Sequence, residues 1–577
     1  MNHLIQTMFK NRGYTAEFLR SMNDPDYDNL KDIDALAVRL KEIHDAHTPI
    51  TVYPDFDMDG ISAGTLGFAG LAELGFNVNL YVPDAAKGYG VQAAQIDNLL
   101  AQFPDTKVII TCDTGIQDAS AVDYCKSRGI AFFVTDHHLQ TSVINADIIV
   151  DPMRADETYS HPAICGAFVL YQVLQRYADL YCNYFTQDQI RRLRVFAGIG
   201  TVSDTMPVLY ENRQILKDAI AICRLVYGDG TTSSVAGVPG CDIYRKVFWG
   251  LYYVMHVCEN YGVISSVEQI DEDFFGFYMA PIFNAAKRMG GDMTKAFGVF
   301  FANDPERCAD YLYNLNIERK DLVERELQSI LSSNQPYAPY IYISDAKPGI
   351  LGLLAMKLMS RTGKPTFVVN NDASAALSNN QYSGSGRSPE WYPCSNAFDR
   401  MVPKYYALLS ERQHALSVAG HDCAFGCRFA NDMALAKAFD FLSKDVSAVE
   451  STADIREAVP DFIISTDWTK DTGIDIELFE NYLNEIDFYR PFGKGFPAPC
   501  VKFMFSNRDV IAWKRIGKSK QHLKISFANG FDVLCWNQGN LIQQKDSFDD
   551  HVIYGHLGRS EYQGVMSVNF TGTLVER

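Results

Sequence analysis

A tight acidic loop closes the first strongly apolar run of this chain: Ile50–Tyr53 leads into PDFDMDG (54–60), with Asp55, Asp57 and Asp59 at alternate positions. Three carboxylates this close repel one another unless a cation neutralises them, so they point to convergence on bound cations. The device recurs. Val108–Thr111 runs into TCDTG with Asp113, Ile130–Thr135 into VTDHH with Asp136, His137 and His138, and Ile148–Val150 into Asp151. Small-residue or amphipathic segments, such as 61–74 and 118–127, separate the runs. This alternation predicts a parallel α/β sheet, and acids at successive strand ends predict a site at its carboxyl edge.

Carboxylate and imidazole donors together suit a divalent transition ion such as Mn²⁺, with Mg²⁺ the less comfortable alternative because of the nitrogen donors. Two ions are expected, about 3.5–4 Å apart, with Asp113 as the shared carboxylate; such a pair activates water and clamps the oxygens of an in-line phosphoryl displacement. Each piece alone has an ordinary explanation. An Asp-rich loop is often a solvated turn, Asp-Thr-Gly after a strand is good turn chemistry, and neighbouring histidines can serve as a helix cap and a core residue. Their order on successive strands carries the metal reading.

At 577 residues the chain exceeds one hydrophobic core, and three or four domains are expected. The 13 cysteines form no metal-site spacing and read as reduced core thiols. A net charge of −18 excludes a uniformly basic coat, so any nucleic-acid contact must be local. The absence of a leader pattern or a bilayer-length apolar run predicts a cytoplasmic protein with no membrane contact. Residues 210–335 read as mostly helical, with Leu322, Val323, Leu327 and Ile330 on one helical face. A second α/β segment follows: strand 340–345, helix 349–363, strand 365–370. Beyond a charged helical stretch at 434–444, short strands at 500–505, 522–527 and 531–536 suggest a small β-barrel.

The motifs DFDMDG, TCDTG and DHH resemble the first three of the DHH phosphoesterases, and VSDTMP (202–207) resembles the fourth, which implies that Asp204 is a metal ligand. The resemblance continues through YVPDAAKGYG (81–90), ICGAFVLYQ (164–172) and NAAKRMG (284–290). PGILGLLA (348–355), GSGRS (384–388) and AGHDCAFG (419–426) are similar to the DHHA1 module, and PFGKGFPAP (491–499) and GKSKQHLK (517–524) to an OB domain. Similarity over about residues 50–577 points to the branch of the family that degrades single-stranded DNA 5′→3′ to 5′-mononucleotides in repair and recombination.

The expected organisation is an N-terminal segment with the DHH domain (1–210), a helical connector (211–335), a DHHA1 substrate-binding domain (336–432), and a helical linker with an OB-type barrel (433–577). The family implies metal ligation by Asp55, Asp57, Asp59, Asp113, His137 and Asp204, and polarisation of the phosphoryl group by His138. It further implies phosphate contacts from Asn284, Arg288, Ser385, Arg387 and His421; a GSGRS loop offers amides, hydroxyls and a bidentate guanidinium. Trp513, Lys514, Arg515, Lys518, Lys520 and Lys524 form an acid-free basic stretch beside an aromatic, suited to single strands.

Two departures stand out. Ala85, Ala86 and Lys87 occupy the segment where the family carries an end-binding arginine, and Ile282 replaces another. A lysine there is a point charge and not a fork. Single-stranded DNA is the expected partner, single-strand DNA-binding protein a family-suggested one, and a monomer the expected state. Two alternatives are a DHH hydrolase of short oligoribonucleotides or cyclic dinucleotides, and an inactive replication scaffold. The long connector and OB segment argue against the first, the retained ligands against the second.

Overall fold

A computed structural model describes residues 3–23, 29–84, 88, 90–228, 240–371, 381–394, 416–421, 423–452, 460–465, 476–517, 520–527, 530–536, 538–539, 541–542, 550–562 and 565–575. Its contacts divide the chain into two compact units, one of Leu30–Asp204 with Ala219–Ile455, the other of Met1–Asn29, Thr205–Asp218 and Arg456–Arg577. These units cut across the four segments expected from the sequence.

The first unit holds two sheets. Strands β1 (Ile50–Pro54), β2 (Val78–Leu80), β3 (Val108–Cys112), β4 (Ala131–Thr135) and β5 (Ile148–Val150) form a parallel sheet in the order β2-β1-β3-β4-β5. Every residue of β1 and β3 is buried, as parallel strands covered on both faces require. Tyr53, Ile109, Phe132 and Val134 share one core cluster with Ile96, Leu99, Val122 and Cys125, so the helices Ala93–Gln102 and Ala119–Ser127 close that side. The carboxyl edge is left to the loops that carry the acids.

The second sheet runs β6-β7-β8-β10-β9, from β6 (Ile341–Ile343), β7 (Thr366–Asn371), β8 (Tyr382–Arg387), β9 (Leu416–His421) and β10 (Ala424–Phe429). Only β6 and β7 pair in parallel; the other neighbours are antiparallel. The helix Pro348–Thr362 begins with proline in its first turn and stops at Gly363, whose φ of 66° is the left-handed value that ends a helix. The predicted amphipathic face belongs to a longer helix, Pro305–Ser332. Val323, Leu327 and Ile330 pack with Leu351, Leu354 and Leu358 of Pro348–Thr362.

The second unit is built on a seven-stranded sheet in the order β11-β12-β16-β17-β15-β14-β13: β11 (Phe462–Ser465), β12 (Val501–Ser506), β13 (Val510–Ile516), β14 (His522–Phe527), β15 (Asp532–Cys535), β16 (Asp550–Tyr562) and β17 (Val565–Val575). Alternate residues of β12 and β14, from Val501, Phe503 and Phe505 to Leu523, Ile525 and Phe527, face the core. Ile5, Met8, Phe9 and Met22, from the helices His3–Asn11 and Ala16–Asn23, enter the same core. Among the described residues, no helix is long and apolar enough to cross a membrane.

One largely buried ion pair ties these helices to the sheet. Arg12 donates through Nε to Asp461 Oδ1 at 2.7 Å and through Nη2 to Oδ2 at 2.6 Å, while Cys500 N–H donates to Oδ2 at 2.7 Å. Arg12→Ala strands the Asp461 charge and should cost about 3–5 kcal/mol, read as a lowered urea-unfolding midpoint for this unit. A loss within experimental error would show that the pair does not hold the helices in place.

Candidate metal centre and phosphate-binding residues

The acids reach one place because Asp55, Asp113 and Asp136 end strands, Asp57 and Asp59 open a helix, and Asp204 closes the helix Arg194–Ser203. Asp57 caps the helix Met58–Glu73, its side chain accepting from the N–H groups of Asp59 at 3.2 Å and Gly60 at 3.3 Å. Asp59, within the first turn of that helix, accepts from Gly166 N–H at 2.6 Å and Ala167 N–H at 3.2 Å, at the positive end of the helix Gly166–Tyr181. Asp113 follows β3 with φ of 61°, a left-handed conformation that costs a non-glycine residue free energy and is held here by its surroundings. Two glycines allow the approach: a Cβ on Gly166 would lie 2.5 Å from Asp113 Cβ, and one on Gly200 would lie 2.1 Å from Asp59 Oδ1.

Around these acids stand the histidines. His137 Nε2 lies 3.1 Å from Asp113 Oδ1, 3.6 Å from Asp204 Oδ2 and 3.8 Å from Asp59 Oδ2. Asp136 Oδ1 accepts from His137 N–H at 2.7 Å and lies 2.8 Å from His138 Nδ1, while its Oδ2 accepts from Ile116 N–H at 3.0 Å. This carboxylate orients His138 from behind, as buried carboxylates orient metal-site imidazoles.

Three overlapping groups bring their donor atoms within 4.8 Å of one another: Asp59, His137 and Asp204; Asp55, Asp57 and Asp113; and Asp113, His137 and His138. Asp113 and His137 are the shared members. Buried Asp55 Oδ2 and Asp113 Oδ1 have no hydrogen-bond partner among the described residues, although His137 Nε2 stands near the latter without the geometry of a bond. Burial pushes Asp55 and Asp204 up to about 7, and burial with Asp59 and Asp57 nearby pushes Asp113 well above the ordinary range. Against burial, the Asp136 carboxylate raises His138 to about 9. Buried acids with orphaned oxygens are a set that divalent cations complete, and carboxylates mixed with imidazole fit Mn²⁺ or Mg²⁺.

A second set of residues carries the opposite charge. Arg288 Nη1 donates to Gly349 O at 3.4 Å, and Asn284 Oδ1 accepts from Met58 N–H at 2.9 Å. Ser385 and Arg387 lie on β8, and Ala424 is the register partner of Arg387 on one side and of His421 on the other. The side chain of His421, and all of Lys87 and Lys518, lie outside the described residues. Arg319, on the helix Pro305–Ser332, donates through Nε and Nη2 to Asn316 Oδ1 at 3.0 and 2.7 Å. Burial lowers the guanidinium pKa values of Arg288, Arg387 and Arg319, the last to about 10, and repulsion from Arg288 lowers the other two further. No carboxylate pairs with any of the three among the described residues.

The basic stretch forms a hairpin, β13 against β14. Trp513 is opposite buried Ile525 and contacts Phe505 and His551, so its ring packs inward. Lys514 faces Lys524 across the strands; Lys524 is paired with Asp532 at 2.7 Å, and Arg515 donates to Gly539 O at 2.8 Å. Lys520 is exposed in the turn. The cations are therefore divided between the two faces of the hairpin.

Sequence reasoning passed over two residues at these sites. Arg319 lies within an ordinary charged helix and Lys287 within NAAKRMG, and neither carries a local signal of its own.

The fold and this acidic centre define an α/β protein with a candidate site for divalent metal ions. Residues 49–196 match the DHH family N-terminal domain, and residues 473–572 match the RecJ OB domain. It is similar to the single-stranded-DNA-specific exonuclease RecJ of Thermus thermophilus, at 25% identity over 528 residues that cover 89% of this chain and 66% of that one. With the protein of the same name from Haemophilus influenzae the figures are 24% over 532 residues, 88% and 83%. This chain thus spans about two thirds of the length of the Thermus relative. The fold matches the crystal structure of Thermus RecJ with Mn²⁺ at a TM-score of 0.70 and 22% identity, covering 100% of this chain and 76% of that one. A second manganese-bound RecJ structure matches at 0.52 and 23%, covering 74% and 96%.

A pH dependence follows from the raised acids. Folded and metal-free, Asp55 and Asp204 keep protons up to about 7, whereas their ordinary value is 3.8. The folded state binds more protons across that window, so these groups make the metal-free protein less stable as pH rises through it. Mn²⁺ affinity should rise over the same window, because protons and ions compete for the same oxygens. Calorimetric titrations at about pH 5.5 and about pH 8 check this, and equal affinities at both would remove these acids from the ligand set.

Proposed function

We propose that this chain is a two-metal-dependent exonuclease that degrades single-stranded DNA 5′→3′ to 5′-mononucleotides in repair and recombination. The observation that carries the reading is the pairing, within one compact unit, of an acidic centre with three guanidiniums, one buried and two half-buried, that have no carboxylate partner among the described residues. One arrangement calls for cations and the other for an anion, and a phosphodiester with divalent ions satisfies both.

Asp55, Asp57, Asp59, Asp113, His137 and Asp204 are assigned to the ions, with Asp113 shared. When bound, the ions neutralise the acids, activate water and stabilise the developing phosphoryl charge. His138, oriented by Asp136, contacts the phosphoryl oxygens as a cation. Arg387 and Ser385 hold the terminal 5′-phosphate, with Asn284, Arg288 and His421 on the same phosphates; Arg319 adds charge from the helix side. The OB domain tracks the strand through Lys514, Arg515, Lys518, Lys520 and Lys524, with Trp513 shaping the hairpin and Lys87 adding a further contact to the strand. Segments 1–210, 211–335, 336–432 and 433–577 divide these duties as catalytic, connecting, end-holding and strand-holding parts. The protein works in the cytoplasm as a monomer with single-strand DNA-binding protein as its partner.

Single strands labelled at either end, incubated with Mn²⁺, give the decisive test. Mononucleotides should be released from the 5′ end first, EDTA should stop the reaction, and Asp113→Ala should remove it while the folded circular-dichroism spectrum stays. Retained activity in that variant would overturn the metal assignment. Arg387→Ala should reduce use of 5′-phosphorylated ends roughly tenfold to a hundredfold, as expected for a charge-assisted bond of about 1.5–3 kcal/mol, with a smaller effect on 5′-hydroxyl ends. Equal losses on both ends would count against a terminal-phosphate pocket.

A further inference from the structure

The two outer acidic groups are not electrically equivalent. Lys287, on the helix Ala280–Met289, places its ammonium 3.8 Å from Asp55 Oδ2 and 3.6 Å from Asp57 Oδ2, and lies 4.6 Å from the centre of the Phe56 ring. Asp55 and Asp57 belong, with Asp113, to one of the groups able to hold an ion. In the group of Asp59, His137 and Asp204, only the imidazole of His137 stands within ion-pair reach of the acids among the described residues. One end of the centre thus has a lysine ammonium beside it, and the other has only an imidazole that is itself a candidate ligand.

We propose that Lys287 is a built-in counter-ion for Asp55 and Asp57, so that the two divalent ions bind unequally: tightly at Asp59, His137 and Asp204, and more weakly where an ion must displace the lysine ammonium. This inference rests on the two-ion reading above. An ammonium 3.6 and 3.8 Å from two carboxylate oxygens offsets the charge that attracts an incoming ion, and it repels that ion at close range. Its flexible four-carbon stem lets it withdraw when the ion enters, which a rigid guanidinium fork does less readily. Without metal, the same ammonium keeps the buried acidic loop from repelling itself apart, so Lys287 stabilises the unloaded protein and weakens its second site.

Mn²⁺ titration of the full chain tests the idea, followed by calorimetry and by the loss of the free-ion paramagnetic resonance signal. The native protein should show two classes of site at least roughly tenfold apart in affinity. Lys287→Met should tighten the weaker class by about tenfold and leave the tighter one in place, while the metal-free thermal midpoint falls. Lys287→Arg should keep the classes apart. Two equal sites in the native protein would overturn the inference whether or not a variant folds. So would a Lys287→Met isotherm that superimposes on the native one while the midpoint drops, since that is the signature of a purely structural lysine. A failure of the native protein to bind any Mn²⁺ would overturn the metal reading itself, and this inference with it.

Discussion

Negative charge buried at the carboxyl edge of a parallel sheet is the constraint on which the catalytic unit turns. Carboxylates out of water are costly unless paired, hydrogen-bonded or bound to metal. Much of the nearby architecture serves that requirement. The start of the helix Gly166–Tyr181 donates two N–H groups to Asp59, the start of Met58–Glu73 donates to Asp57, and Asp136 is held by backbone donors while it orients His138. Gly166 and Gly200 exist as glycines because any Cβ would occupy space taken by Asp113 or Asp59. After these compensations, oxygens of Asp55 and Asp113 are still without hydrogen bonds among the described residues.

The arginine set is the electrical complement. Arg288, Arg319 and Arg387 come from three separate elements, the helix Ala280–Met289, the helix Pro305–Ser332 and the end of β8. Like charges do not gather out of water without an anion to justify them. In a chain with a net charge of −18, this is the local positive region that the proposed phosphate contacts require, and it lies within the same compact unit as the acids. The OB hairpin contributes less concentrated charge. One of its lysines is spent on Asp532, and its tryptophan packs against the core instead of being offered to a base.

The chain itself was sufficient to reveal the parallel sheet, the acids at its strand ends and the helical connector. Strand ends are local: Asp55, Asp113 and Asp136 follow runs whose burial dictates β-structure, and the alternation of runs and helices dictates their common edge. The short strand β2 and the long pair β16 and β17 escaped notice, the first because three residues make no pattern. The N-terminal helices were assigned with the segment that follows them, yet they pack into the core of the second unit. Arg12 finds Asp461 at a separation of 449 residues.

Local pattern therefore determined which chemistry this protein can hold, because periodicity and strand-end residues are properties of neighbours in sequence. Tertiary structure alone decided the electrostatics. Lys287 reads as one more charge on an amphipathic helix until packing sets it against Asp55 and Asp57. Arg319 reads as a solvated helix residue until burial removes water and leaves it without a carboxylate. Trp513 and the lysines around it read as one patch until strand alternation turns them to opposite faces. In each case the deciding quantity is a distance or a loss of solvent between residues remote in the chain, and no local spacing encodes it.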